Sequence, residues 1–343
     1  MEHLIRLFFK NFLDYKLIKI VHGHINETFQ LILKTSEGEE NWILQAVNTN
    51  VFKNLDILTN NSKVIAEHLV QMGYPKGILF PISAVDERII VPFEGKYWRV
   101  YPFIEDSRNI QKASSPDEVY FASLAIGELY GYIQNIDIGS IKNPIPGFHD
   151  YKGRMDSFNT ALNSGFIGKY QEAENEIRYL IQNSQIVEKV IGYQQKFTLV
   201  QQVIHGDPKL GNILFDKSGP TIKAIIDWDT FMVGTPWIDF GDMVRSYTSS
   251  GDENEDHVYF NKLYFNALKE GLLESNFLEF KNNHKNLWKE FAKCVIYIQA
   301  IRFLTDFIIG NKYYKIDFES HNLFRAKNQI SLLKDFIKQE KDI

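Results

Sequence analysis

His205-Gly206-Asp207-Pro208-Lys209-Leu210-Gly211-Asn212-Ile213-Leu214-Phe215-Asp216 is the stretch on which the reading of this chain turns. It sets a carboxylate, Asp207, five positions before a carboxamide, Asn212, in an apolar setting that reads as short strands. A short distance on, Ile225-Ile226-Asp227-Trp228-Asp229 is an apolar strand ending in acid, so a hairpin would bring Asp227 opposite Asn212. Phosphoryl transfer asks for this combination. It needs a carboxylate to orient the attacking hydroxyl and accept its proton, and oxygen ligands to hold a divalent cation against nucleotide phosphates. Asp207 suits the first task, Asn212 and Asp227 the second. Hard, octahedral Mg2+ prefers such oxygens, and no His/Cys cluster offers a competing zinc site.

Around this polar-tipped hairpin the chain reads as helical. Ser115-Pro116-Asp117-Glu118 carries an N-cap, a proline at the first helical position and an acid three after the cap, opening a helix to about Ile136. Further helices are predicted over Tyr170–Gln194, Asp256–Glu270, Leu287–Ile309 and Leu323–Lys341. Before Phe103 the pattern changes. Leu17–Val21, Thr28–Lys34 and Asn41–Val47 are short β-rich runs separated by Gly and polar turns, a helix fits Leu55–Met72 before Gly73, and two more strands fit Ile89–Pro92 and Tyr97–Phe103. Ile104-Glu105-Asp106-Ser107 is polar enough to connect two lobes. The expected organisation is therefore α+β: a small β-rich N-lobe, 1–103, and a larger, mostly helical C-lobe, 104–343.

A chain of 343 residues suits two lobes sharing a cleft. Its 38 Lys and Arg against 43 Asp and Glu, a net charge of -5, supply no cationic excess for a nucleic-acid backbone or an anionic membrane, so neither is an expected partner. The single cysteine, Cys294, has no intrachain partner and lies in an apolar helical run. No apolar stretch reaches the roughly 18 residues needed to span a bilayer, and the first residues lack a cleavage site. A cytoplasmic protein is expected.

The run His205-Gly206-Asp207, Asn212, Ile226-Asp227, Gly234, Asp239 and Asp242 resembles the catalytic and metal-binding signature of aminoglycoside and choline phosphotransferases, relatives of protein kinases. The resemblance implies a protein-kinase-like bilobal fold, ATP and Mg2+ as cofactors, Asp207 as base, Asn212 and Asp227 as metal ligands, and Lys209 on the γ-phosphate. In the N-lobe, Gly23, Asn26 and Thr28 occupy the position of a phosphate-covering turn, and Pro102, Phe103 and Ile104 the hinge that reads adenine. Asp239, Asp242 and Arg245 are expected to brace the site through ion pairs and caps.

Within this group the likeness is strongest to bacterial N-acetylhexosamine 1-kinases, and it extends over nearly the whole chain. It rests on Gly23-His24-Ile25-Asn26 with Thr28, Ile43-Leu44-Gln45, Val47-Asn48-Thr49-Asn50-Val51-Phe52, Ile145-Pro146-Gly147-Phe148-His149-Asp150, Ile226-Asp227-Trp228-Asp229-Thr230 and Arg302-Phe303-Leu304-Thr305-Asp306. It implies a small-molecule substrate, an amino sugar phosphorylated at its anomeric hydroxyl. His24, Asp229, Arg302 and Tyr313 are then candidates for its hydroxyl and acetamido groups, and Phe231 for a ring face. Gln45 stands where kinases carry a phosphate-pairing lysine, a substitution shared with that group. Ala46 replaces an expected arginine, and Pro208 follows Asp207. Two rivals stand beside this expectation: a choline, amino-alcohol or aminoglycoside acceptor, and a non-catalytic nucleotide-binding relative.

Overall fold

The computed structural model describes residues 1–20, 25–164, 166–196, 199–275, 277–281 and 285–343. Its first part holds α1 (Glu2–Phe8), β1 (Asp14–Ile20), β2 (Glu27–Lys34), β3 (Glu39–Val47), α2 (Leu55–Gln71), β4 (Val91–Phe93) and β5 (Lys96–Pro102). The strands form one antiparallel sheet in the order β1-β2-β3-β5-β4. Alternate residues Leu31 and Leu33, with Leu44, Trp98 and Val100, bury one face against Leu4, Ile5 and Phe8 of α1. That helix was not read from the sequence. The register aligns Gln45 on β3 with Thr28 on β2 and with Arg99 on β5.

The remainder holds β6 (Ser107–Asn109), α3 (Pro116–Ile133), α4 (Tyr151–Ser164), α5 (Ile167–Glu172), α6 (Glu174–Gln182), α7 (Gln185–Lys196), β7 (Gln202–Ile204), β8 (Ile213–Asp216), β9 (Ile222–Ile225), β10 (Met232–Gly234), α8 (Pro236–Tyr247), α9 (Lys262–Glu274), α10 (Leu278–Lys281), α11 (Lys285–Ile308) and α12 (His321–Gln339). The fold is thus a β-rich lobe beside a mostly helical one. Its core centres on α11, which packs on α4, α7, α8 and α12, and it encloses Cys294. The short sheets β6-β8-β9 and β10-β7 carry the segments between helices. Among the described residues no helix is long and apolar enough to cross a membrane.

Local chemistry explains where these elements start and stop. Ser115 caps α3 by accepting from the Glu118 N–H at 3.3 Å. Glu118 reaches Ser114 rather than closing the reciprocal bond, and also binds Arg108 at 2.8 Å, which ties the connector strand to α3. The single helix expected over 170–194 is three, because the backbone leaves helical geometry at Ala173 and Asn183. Helix α2 differs from expectation in its allegiance. Its first turns place Leu58 with Val47 and Phe52, but Ile65, Ala66 and Leu69 belong to the large core. Asn61 in its middle donates to the carbonyls of Lys142 at 2.7 Å and Phe231 at 3.3 Å, and accepts from Lys142 N–H.

Candidate active site

Strand β7 delivers the chain to Gly206, whose φ of +83° is open to glycine and strained for other residues. An added Cβ there would lie 2.6 Å from the Thr230 carbonyl oxygen. Gly206→Ala is therefore expected to lower unfolding free energy by about 2 kcal/mol or more, read as a shift of the urea midpoint, with loss of turnover. His205 joins the two motifs. Its Nε2 lies 2.9 Å from the Ile226 carbonyl and its Nδ1 accepts from the Asp207 N–H at 3.3 Å. Burial lowers its pKa to about 4, so the ring is neutral with the proton on Nε2, as those two neighbours require.

Asp207, Lys209 and Asn212 converge. Lys209 Nζ sits 2.7 Å from Asp207 Oδ2, and Asn212 Nδ2 donates to the Asp207 carbonyl at 2.8 Å and to its Oδ2 at 3.2 Å. Burial would raise the Asp207 carboxyl, but the charge and hydrogen bond of Lys209 hold it down at about 2. The same pairing pushes Lys209 above its ordinary range against the cost of burial. Tyr247 donates to the carbonyl of Pro208 at 2.7 Å, fixing the turn that proline stiffens.

Asp227 follows β9 with φ 63° and ψ 56°, the left-handed region that a non-glycine residue occupies only when its surroundings enforce it. The Ile226 N–H donates to the Asn212 carbonyl at 2.9 Å, so the two expected metal ligands come from adjoining strands, as the hairpin reading required. Asn212 spends its amide nitrogen on Asp207, which leaves Oδ1 for a cation. Burial and the neighbouring Asp229 raise Asp227 to about 7, a strained charge that a bound cation would relieve. Two hard oxygen donors fit Mg2+, and among the described residues no cluster of three His, Cys, Asp or Glu side chains forms a different metal site.

Asp239 accepts from the Gly206 N–H at 2.9 Å and from the Tyr130 hydroxyl. Asp242 pairs with Arg245 at 2.7 Å, and Arg245 continues to Glu253 at 2.5 Å. Asp239 thus holds the loop from behind through Gly206, while Asp242 and Arg245 form an ion-pair chain of their own on α8. Thr235-Pro236, which opens α8 beneath them, was a legible helix start that the sequence reading passed over.

Other expected residues stand elsewhere. Asp229, assigned to the sugar, is 2% exposed and faces the small lobe: Arg99 Nη1 and Nη2 donate to its Oδ1 and Oδ2 at 2.7 and 2.5 Å, and Asn26 Nδ2 donates to Oδ2 at 2.9 Å. Asn26, expected on phosphate, is occupied there and by the Asn48 N–H. Gln45 donates to Thr28 Oγ1 at 3.0 Å and accepts twice from Arg99. Phe231 is 0% exposed, packed on His205 and Trp228, so it presents no face to a ligand; the tight turn 228–230 sends it inward. Gly23 and His24 lie outside the described residues.

Arg302 is linked to the loop at 206 through the segment that carries Phe148 and His149. His149 Nε2 lies 3.1 Å from the Gly206 carbonyl, and the guanidinium of Arg302 stacks over the rings of Phe148 at 5.4 Å and Tyr314 at 5.7 Å. Arg154, which the sequence reading missed, donates to the Phe148 carbonyl at 3.4 Å, and its pKa is lowered by burial and by Arg302. Neither guanidinium forms an ion pair among the described residues. Asp306 accepts from the N–H groups of Lys312, Tyr313 and Tyr314, pinning the turn that carries the two tyrosines; Tyr313 itself is 53% exposed. At the hinge, Pro102 ends β5, Phe103 follows, and the Ile104 carbonyl is taken by Ser107 at 2.6 Å.

A family model described as phosphotransferase enzyme family matches residues 16–270, which include the loop 205–216 and the strand turn at Asp227. The chain belongs to that family. Among solved structures, this phosphotransferase resembles a microcompartment-associated aminopropanol kinase, with a TM-score of 0.66, 13% identity, and coverage of 95% of this chain and 94% of the other. A spectinomycin phosphotransferase solved with ADP and spectinomycin matches at 0.55 and 14%, covering 97% and 92%. Choline kinase from Cryptosporidium parvum Iowa II matches at 0.55 and 11%, covering 95% and 91%. At these identities the likeness establishes the shared fold of the phosphotransferase and its neighbours.

Proposed function

We propose that this chain transfers the γ-phosphoryl group of ATP to the anomeric hydroxyl of N-acetylglucosamine or N-acetylgalactosamine. The observation that carries the reaction type is the bond from Asn212 to Asp207, which holds a base and a cation ligand on one turn beside Asp227. Adenine lies against the backbone at Phe103, with 1–103 as the nucleotide-binding lobe and 104–343 as the catalytic one. Asn212 and Asp227 would hold Mg2+, which would neutralise phosphate charge when bound. Lys209 exchanges Asp207 for the arriving γ-phosphate. That exchange frees the Asp207 carboxylate to orient the sugar hydroxyl and take its proton as the bond to phosphorus forms.

Electrostatics favour the sugar over a cationic acceptor. Beside the catalytic loop stand two guanidiniums, Arg154 and Arg302, with Phe148 and Tyr314 and a neutral His149 whose pKa burial holds at about 4. A quaternary ammonium or a polycationic aminoglycoside would be repelled there, whereas sugar hydroxyls and an acetamido carbonyl accept hydrogen bonds from arginine. ADP release measured over a panel of both N-acetylhexosamines, choline, ethanolamine and kanamycin is expected to favour a sugar by at least ~100-fold in kcat/KM. Phosphorus and proton NMR of the product then report the position modified. Robust turnover of choline with background turnover of both sugars would overturn the acceptor assignment.

A further inference from the structure

The small lobe lacks the lysine that kinases set on their third strand, yet its sheet does carry a buried cation one strand over. Arg99 is 2% exposed and lies directly across the ladder from Gln45. Its Nε and Nη2 donate to Gln45 Oε1 at 3.0 and 2.6 Å, while Nη1 and Nη2 grip both oxygens of Asp229. Gln45 is held in turn by Thr28, and Asn26 adds a third bond to Asp229 from the turn before β2. One small-lobe strand and one turn therefore bond a single carboxylate of the large lobe, and β2 and β3 hold the guanidinium from behind. That carboxylate sits two residues after Asp227, in the short turn 228–230 that begins where the backbone takes its left-handed step.

We propose that Arg99 is a positioning residue that aims the metal ligand Asp227 by clasping Asp229 through the Gln45–Arg99–Asp229–Asn26 network. The fork of the guanidinium fixes both the rotation and the depth of Asp229, which an ammonium cannot do. With Asp229 fixed, the turn 228–230 is fixed, and with it the backbone that carries Asp227 beside the strand of Asn212. Gln45 is then the matched partner of an arginine: its carbonyl oxygen receives two guanidinium N–H groups, and a lysine at that position would set a like charge against Arg99.

This inference rests on the metal-nucleotide reading above and is tested without an acceptor. Mn2+ binding in the presence of the non-hydrolysable ATP analogue AMP-PCP is followed by electron paramagnetic resonance, and AMP-PCP binding in EDTA by calorimetry. Arg99→Lys and Asp229→Asn are the variants, chosen because each keeps size or charge, and thermal unfolding checks that each is folded. Both are expected to weaken Mn2+ binding by roughly 10- to 100-fold while the metal-free nucleotide Kd stays within about threefold. The double variant should lose little more than either single one, because the two residues act through one contact. Folded variants with parental Mn2+ affinity would reduce the network to packing and overturn the proposal. So would a loss confined to metal-free nucleotide binding, which would make Arg99 a direct phosphate contact. A parent protein that bound neither Mn2+ nor AMP-PCP would remove the metal-nucleotide reading itself, and the positioning role with it.

Discussion

Asp207→Asn is expected to lower kcat by about 10³-fold, within the range that loss of a positioned proton acceptor produces. The substitution keeps the size of the side chain and its place between Lys209 and Asn212. Nucleotide affinity should therefore move by no more than about threefold, which separates a lost chemical role from a lost binding role. The pH profile offers an independent check. Lys209 holds Asp207 at about 2 against the upward push of burial, so its ionised form persists until the pH falls through that value. The kcat/KM profile reports the free enzyme, in which Lys209 is still paired with Asp207. Parent and variant should thus share the shape of their kcat/KM profiles across roughly pH 5 to 8. A variant with near-parental kcat would end the assignment of Asp207 as base.

The second large effect is expected at Asp227. Asp227→Asn replaces a charged oxygen ligand by a neutral one, at a position where burial and Asp229 already make the charge costly without a cation. Charge stabilisation by a bound divalent ion contributes several kcal/mol, so kcat/KM should fall on the order of 10³-fold. The loss should be partly recovered by raising Mg2+, and Mn2+ titration should show a weakened site. Retention of parental metal affinity would mean that Asp227 points elsewhere when substrates bind. Asp207→Asn should by contrast leave metal affinity nearly intact, so the two variants separate along different axes.

Much of this site was legible because its residues are close in sequence. Asp207, Lys209 and Asn212 lie on one loop, and Asp227 returns on the adjoining strand, so local spacing and a hairpin sufficed to place them. Ser115-Pro116 and Gly73 likewise marked helix ends through chemistry confined to one turn. What escaped was tertiary. The partner of Asp229 is Arg99, 130 positions earlier, and nothing local to Trp228-Asp229-Thr230 says that the carboxylate turns toward the sheet. The charged residue in the middle of the apolar strand Tyr97-Trp98-Arg99-Val100 was the available signal, since a mid-strand arginine between buried neighbours must have an acid to meet. Phe231 was misassigned for the opposite reason: an aromatic beside a catalytic turn reads the same whether it faces ligand or core. Arg154 was missed because no helix was read over Tyr151–Ser164 to place it on.

Helix α2 joins the two parts of the architecture. Protein kinases switch off by swinging the helix of the small lobe away from the catalytic centre. Here that helix is bolted to the opposite lobe by Ile65, Leu69 and the twin bonds of Asn61, one of them to the backbone immediately behind the metal turn. Displacing α2 would therefore mean opening that packing and breaking the bond to the carbonyl that follows the turn 228–230.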